Sequence, residues 1–126
     1  MYHVEQNVLV FTGNKRRVFK NFISEVLEFD EAIVILLGNE PSQCTNENVY
    51  AFDYAGNPLW QIPPRPRRMG HCPFVAITRN TMFLDAFNWD GSVMTIHPKQ
   101  GFVIHEDYAS VGNYMPHRVA SVRRWT

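Results

Sequence analysis

Residues 47–62 read ENVYAFDYAGNPLWQI, and this stretch decides the fold class. Val49 to Asp53 alternates in the manner of a pleated strand, Tyr54 to Pro58 carries turn residues, and Leu59 to Ile62 is apolar again. Successive side chains of a strand point to opposite faces. Tyr50, Phe52 and Tyr54 therefore share one face, and Val49, Ala51 and Asp53 the other. Trp60 is expected to lie across the sheet or to cover the hairpin's end, where an indole buries about 150–250 Å².

Outward from this hairpin the same grammar repeats. Segments near 7–11, 16–29, 33–37, 48–53, 58–62, 74–78, 81–87, 92–97 and 102–107 are short, β-branched and aromatic, with the second long enough to bend around Asn21. Asp90-Gly91 is a two-residue hairpin signal of type I′, HPKQG at 97–101 a proline-then-glycine turn, and RN at 79–80 a further break. IVILL at 33–37 is apolar at every position, so this strand is expected to be central and buried on both faces. The economical reading is an all-β antiparallel meander forming one domain, 1–126, with blade-like repeats at about 25–62 and 74–107 and a tail at 108–126. VYAFDYAGNPLW at 49–60 aligns with VMTIHPKQGFVI at 93–104, and an interval of this size is that of a propeller blade.

NVYAFDYAGNPLWQI resembles the blade motif of pyrroloquinoline-quinone-dehydrogenase-like propellers, and NWDGSVMTIHPKQGFVI resembles a second copy. His97 stands where those blades begin the turn with Asp. From about Phe19 to Asp107 the order of motifs is also similar to a group of small bacterial proteins of unknown function. The resemblance implies about two propeller-blade-like sheets, sandwich-like, with no closed propeller and no cofactor. Two blades leave a face or an edge open, to be covered by the N-terminal strands, the last residues or a second copy, so a homodimer is expected.

Composition bounds the function. The 126 residues are 45% hydrophobic and 19% charged, as in globular domains, with 12 basic against 12 acidic residues. A net charge of +0 argues against nucleic acid and anionic membrane as partners. No apolar run is long enough to span a bilayer, and MYHVEQNVLVF has no basic region leading into a long apolar one, so a cytoplasmic location is expected.

Strand alternation gathers the connections at 38–47, 63–73 and 88–91 and the tail at one end, where binding residues concentrate. In PPRPRRMGHCP at 63–73, four prolines hold the chain extended while Arg65, Arg67 and Arg68 present three guanidinium groups. Arginine suits carboxylate-rich partners. The loop reads either as a recognition element for an acidic protein surface or as a solvated connector paired with Asp90, Glu106 or Asp107. Trp89, beside the Asp90-Gly91 tip, is either a lid over the core or an exposed anchor. Val119, Val122 and Trp125 give the tail a short apolar stripe.

Catalytic signals are weak, and no enzyme is expected. His71 and Cys72 are neighbours on an extended chain and point apart; with Cys44 they form a sparse metal set. His105 and Asp107 share a face opposite Glu106, which a solvated strand explains as well as an acid–base cluster does. No serine stands in a nucleophile elbow and no glycine loop cradles phosphate. The reading is therefore a protein-binding, immunity or accessory module acting through Arg65, Arg67, Arg68, Trp89 and Asp90. The alternative is a ligand- or metal-binding protein using Cys44, His71 and Cys72.

Overall fold

The apolar run at 32–37 is the middle of the molecule. In the computed structural model, which describes residues 2–38, 46–63 and 73–108, it forms a strand, Ala32–Leu37, with every residue buried. Val34 and Leu36 enter one core, shared with Val49, Ala51, Ile77, Leu84, Met94 and Ile96. Ile33, Ile35 and Leu37 enter a second core with Leu9, Phe11 and Phe52. Each such side chain contributes about 1.5–3 kcal/mol on burial, so one strand with two apolar faces holds two layers against itself. Val49 and Ala51 face the first core and Phe52 the second, with Tyr50 and Tyr54 packed at its margin, as alternation in the opening stretch requires.

Eleven strands appear among the described residues, and their pairings are antiparallel. β1 (Tyr2–Glu5), β2 (Val8–Phe11) and β3 (Arg16–Val18) form an N-terminal sheet. β4 (Ile23–Phe29), β5 (Ala32–Leu37), β6 (Val49–Phe52) and β7 (Pro58–Gln61) form the middle sheet. β8 (Phe74–Asn80), β9 (Phe83–Asn88), β10 (Ser92–Ile96) and β11 (Val103–Tyr108) form the C-terminal sheet. The three stack in chain order and close neither a barrel nor a propeller. No helix among the described residues is long and apolar enough to cross a membrane.

The two four-stranded meanders are versions of one unit. Register shifts fall between Ala51 and Phe52 in β6 and between Thr95 and Ile96 in β10, the same interval at which the two stretches align in sequence. Earlier in each sheet a second shift recurs, between Ile23 and Glu25 in β4 and between Phe74 and Ala76 in β8. Bulges are positional features of a fold, and the two sheets carry theirs in corresponding strand pairs.

Three expectations are corrected. The single strand expected at 16–29 is two strands in different sheets. Asn7 Nδ2 donates to Phe19 O (2.8 Å), Phe19 N to Asn7 O (2.9 Å) and Ile23 N to Gln6 O (2.8 Å), turning the chain from β3 into β4. β1 precedes the first expected strand and returns through Gln6, whose φ is 55°. The turn expected at 79–80 lies at Thr81-Met82 instead, because Thr81 takes the positive φ (56°) while Arg79 and Asn80 stay in register with Leu84 and Phe83.

Trp60 covers the end of the neighbouring sheet. Its Nε1 donates to Pro98 O (2.8 Å), and a Cβ on Gly101 (φ +79°) would stand 2.5 Å from the indole. Glycine at 101 thus serves both the turn and the close approach of Trp60.

Candidate functional site

One end of the stacked sheets, here called the rim, receives the described ends of the long connections. Asn48, 1% exposed, is its clamp. Asn48 Nδ2 donates to Leu37 O and to Phe74 O (both 2.9 Å), and Asn48 Oδ1 accepts from Phe74 N (3.0 Å). A single amide thereby ties β5, β6 and β8 where the middle and C-terminal sheets meet. Ile62 N donates to Val49 O and Trp89 N to Pro73 O (both 2.9 Å), so both ends of the arginine loop sit on this rim.

The β9–β10 connection is built to hold its shape. Gly91 N donates to Asn88 O (2.9 Å), Asp90 N to Asn88 Oδ1 (3.0 Å), and Asp90 Oδ1 accepts from Ser92 N (2.9 Å) and Ser92 Oγ (2.6 Å). A type I′ turn needs positive φ at both central residues. Here Gly91 has it (φ 92°) and Asp90 does not, so the expected two-residue hairpin is instead a three-residue loop, Trp89 to Gly91. Asp90 orders the turn through its carboxylate. Trp89 projects from it 69% exposed and is not a lid over the core.

Phe22 (49% exposed) and Val75 (47%) lie at the same end. The Phe22 ring rests where a Cβ of Gly38 would stand, and Gly38 N donates to Phe22 O (2.8 Å). Val75 follows the clamped Phe74. The sequence reading missed these two and Asn48. Phe22 was hidden inside an assumed continuous strand, and nothing about an asparagine before a strand announces burial.

Arg65, Arg67, Arg68, Cys44, His71, Cys72 and the tail from 109 lie outside the described residues. Among the described residues no group of three or more His, Cys, Asp or Glu side chains could hold a metal ion. His105 pairs with Thr95 and Asp107 with Val93 on one face, while Glu106 pairs with Met94 on the other. Asp85 accepts from Thr95 Oγ1 (2.6 Å) and Asn80 Nδ2 (3.1 Å), which makes it a structural link across β8, β9 and β10. Two open grooves lie away from Trp89. One, of about 500 Å³, runs between β3 and β7; the other, of about 340 Å³, lies among the tight turns and contains the Glu31–Lys99 ion pair (2.7 Å). That lysine holds the Glu31 carboxyl below the usual range.

Fold and rim together define an all-β protein of three stacked antiparallel meanders, with a rigid aromatic displayed at the end where its long connections meet. The chain belongs to the DUF7957 family, described as a domain of unknown function, whose model matches residues 1–108. No curated protein and no solved structure matches it.

Proposed function

We propose that the chain is a non-enzymatic binding module that captures a protein of acidic surface on the rim carrying Trp89. The observation behind this reading is the 69% exposure of Trp89 on a turn fixed by side-chain hydrogen bonds. An indole held on a rigid turn loses little conformational freedom when a partner covers it, and tryptophan and arginine are enriched among residues that dominate binding. Phe22 and Val75 are further exposed apolar side chains at the same end. Arg65, Arg67 and Arg68 belong to a loop that starts and ends beside it, which supplies the preference for carboxylates. An immunity or accessory role in the cytoplasm fits such a module.

The test is co-purification of the tagged full chain from its native cell. Trp89→Glu, and separately Arg67→Glu with Arg68→Glu, should each weaken retention of the partner by at least about 30-fold, in keeping with loss of a hot spot. Circular dichroism should be unchanged. A partner kept by both variants overturns the proposal.

A further inference from the structure

The N-terminal sheet has three strands where the middle sheet beside it has four. Tyr2 of β1 donates to Glu28 of β4 (2.6 Å), and Leu9 and Phe11 of β2 share a core with Ile33 and Ile35 of β5. β3 lies over β6, with the Arg17 guanidinium 5.5 Å above the Phe52 ring and the Phe19 ring 5.1 Å from that of Tyr50. Strand for strand, β7 is left without one above it. The groove of about 500 Å³ between β3 and β7 is that place. Tyr50 and Phe52 pair with Gln61 and Pro58, and these four make its floor.

The side of β3 that borders this groove is a strand edge. Phe11 N donates to Lys15 O (2.8 Å) and Phe19 N to Asn7 O (2.9 Å), so Lys15, Arg17 and Phe19 turn their backbone groups toward β2. In an antiparallel ladder the N–H and C=O of one residue point to the same side, and the side alternates along the strand. Arg16 and Val18 therefore aim their N–H donors and C=O acceptors away from β2, beside the groove. Among the described residues no strand pairs with that edge. Val18 is 69% exposed.

Charge says what the edge takes. Lys15, Arg16, Arg17 and Lys20 stand together in sequence, and no Asp or Glu is among the described residues lining the groove. Arg17 is held in place by its bonds from Nε and Nη2 to Gly56 O (3.3 and 3.0 Å). We propose that an extended acidic segment of a partner protein adds to β3 as a fourth strand of the N-terminal sheet. Its backbone pairs with Arg16 and Val18, its inward side chains lie on Tyr50, Phe52, Pro58 and Gln61, and its carboxylates meet Arg16 and Arg17. When a peptide adds to a sheet edge, main-chain bonds supply affinity and the alternating side chains supply specificity.

Other occupants fit less well. A second copy pairing β3 with β3 would bring two basic runs together, and like charges on facing strands repel. Residues 109–126 hold three arginines and no Asp or Glu, so they carry the same sign as the groove. A phosphodiester offers acceptors alone and leaves the C=O groups of the edge without donors. The groove lies away from Trp89, and its occupation does not depend on capture at the rim.

The probe is a capped synthetic peptide alternating glutamate and valine, titrated into the isotopically labelled full chain and followed by amide NMR with hydrogen exchange. The Arg16 and Val18 amides should shift and become protected, while exchange at Arg17, which already faces β2, stays as it was. Val18→Pro removes an N–H that the β2–β3 ladder does not use, as edge strands allow, and should weaken the peptide at least about tenfold. Arg16→Glu changes an exposed side chain; it should weaken this peptide by a similar factor and tighten one alternating lysine and valine. Binding that survives either folded variant overturns the proposal, as does the absence of shifts at Arg16 and Val18 with about 1 mM peptide. Protection of these two amides before peptide is added would mean that a second copy or the chain itself already holds the edge, and would overturn it too. So would an oligothymidylate that shifts them at lower concentration than the peptide.

Discussion

Replacing Asn48 with alanine should do more damage than its small size suggests. The side chain makes three hydrogen bonds in a site 1% exposed, two as donor to Leu37 O and Phe74 O and one as acceptor from Phe74 N. Net contributions run at about 0.5–1.5 kcal/mol per bond, and a buried donor left unpaired, here Phe74 N, adds roughly 1–3 kcal/mol. Together these predict a loss of about 3–5 kcal/mol, a large share of the ~5–15 kcal/mol available to a domain. For a chain of this size that corresponds to a fall in Tm of roughly 12–20 °C. Asn48→Asp should fare no better, because it keeps the acceptor for Phe74 N but turns a carboxylate toward two carbonyl oxygens. Calorimetry or a thermal melt followed by circular dichroism measures both. An Asn48→Ala protein melting within about 4 °C of the wild type would show that the rim is not held in this way.

Further outcomes follow from the same geometry. Gly101→Ala places a Cβ 2.5 Å from the Trp60 ring at φ +79°, so urea unfolding should show a loss of about 2–4 kcal/mol, and Trp60→Ala should recover only the steric part. Trp89→Ala should change stability by no more than about 0.5 kcal/mol, since the indole is exposed and its loss is felt in binding alone. Tyr2 donates to Glu28 Oε2 (2.6 Å), and burial together with that carboxylate pushes its phenol up to about 12. A folded-state value raised above the ordinary 10.0 favours the neutral form on folding, so this stabilisation is complete below pH 10 and is lost as pH rises toward about 12. Burial also raises Tyr50 and Tyr54, so absorbance titration near 295 nm should show late-ionising tyrosines whose number falls by one in Tyr2→Phe.

Local signals carried most of the architecture. A run such as AIVILL can be buried on both faces only if something packs on each side, and the alternation through Tyr50, Phe52 and Tyr54 assigned those faces correctly. What local pattern does not encode is which sheet a strand joins. Residues 16–29 look continuous because Phe19 and Phe22 sustain the apolar character through the crossing, while the bonds that turn the chain come from Gln6 and Asn7, more than ten residues earlier. The hairpin tip failed differently. Asp90-Gly91 is a sound turn signal, but the hydrogen bonds from Asn88, Asp90 and Ser92 favour a three-residue loop, and that choice sets the outward projection of Trp89.

At the rim, backbone and side-chain polar groups are satisfied within the chain, by Asn48 between sheets and by Asp90 within its turn, so the exposed Trp89 is displayed on a finished framework. On the proposed reading, an anchor on such a scaffold takes up a foreign partner without altering the fold. Trp89→Glu should therefore abolish capture of a partner while leaving the thermal melt of the chain unchanged, and a melt lowered by more than about 4 °C would show that the indole also holds the fold.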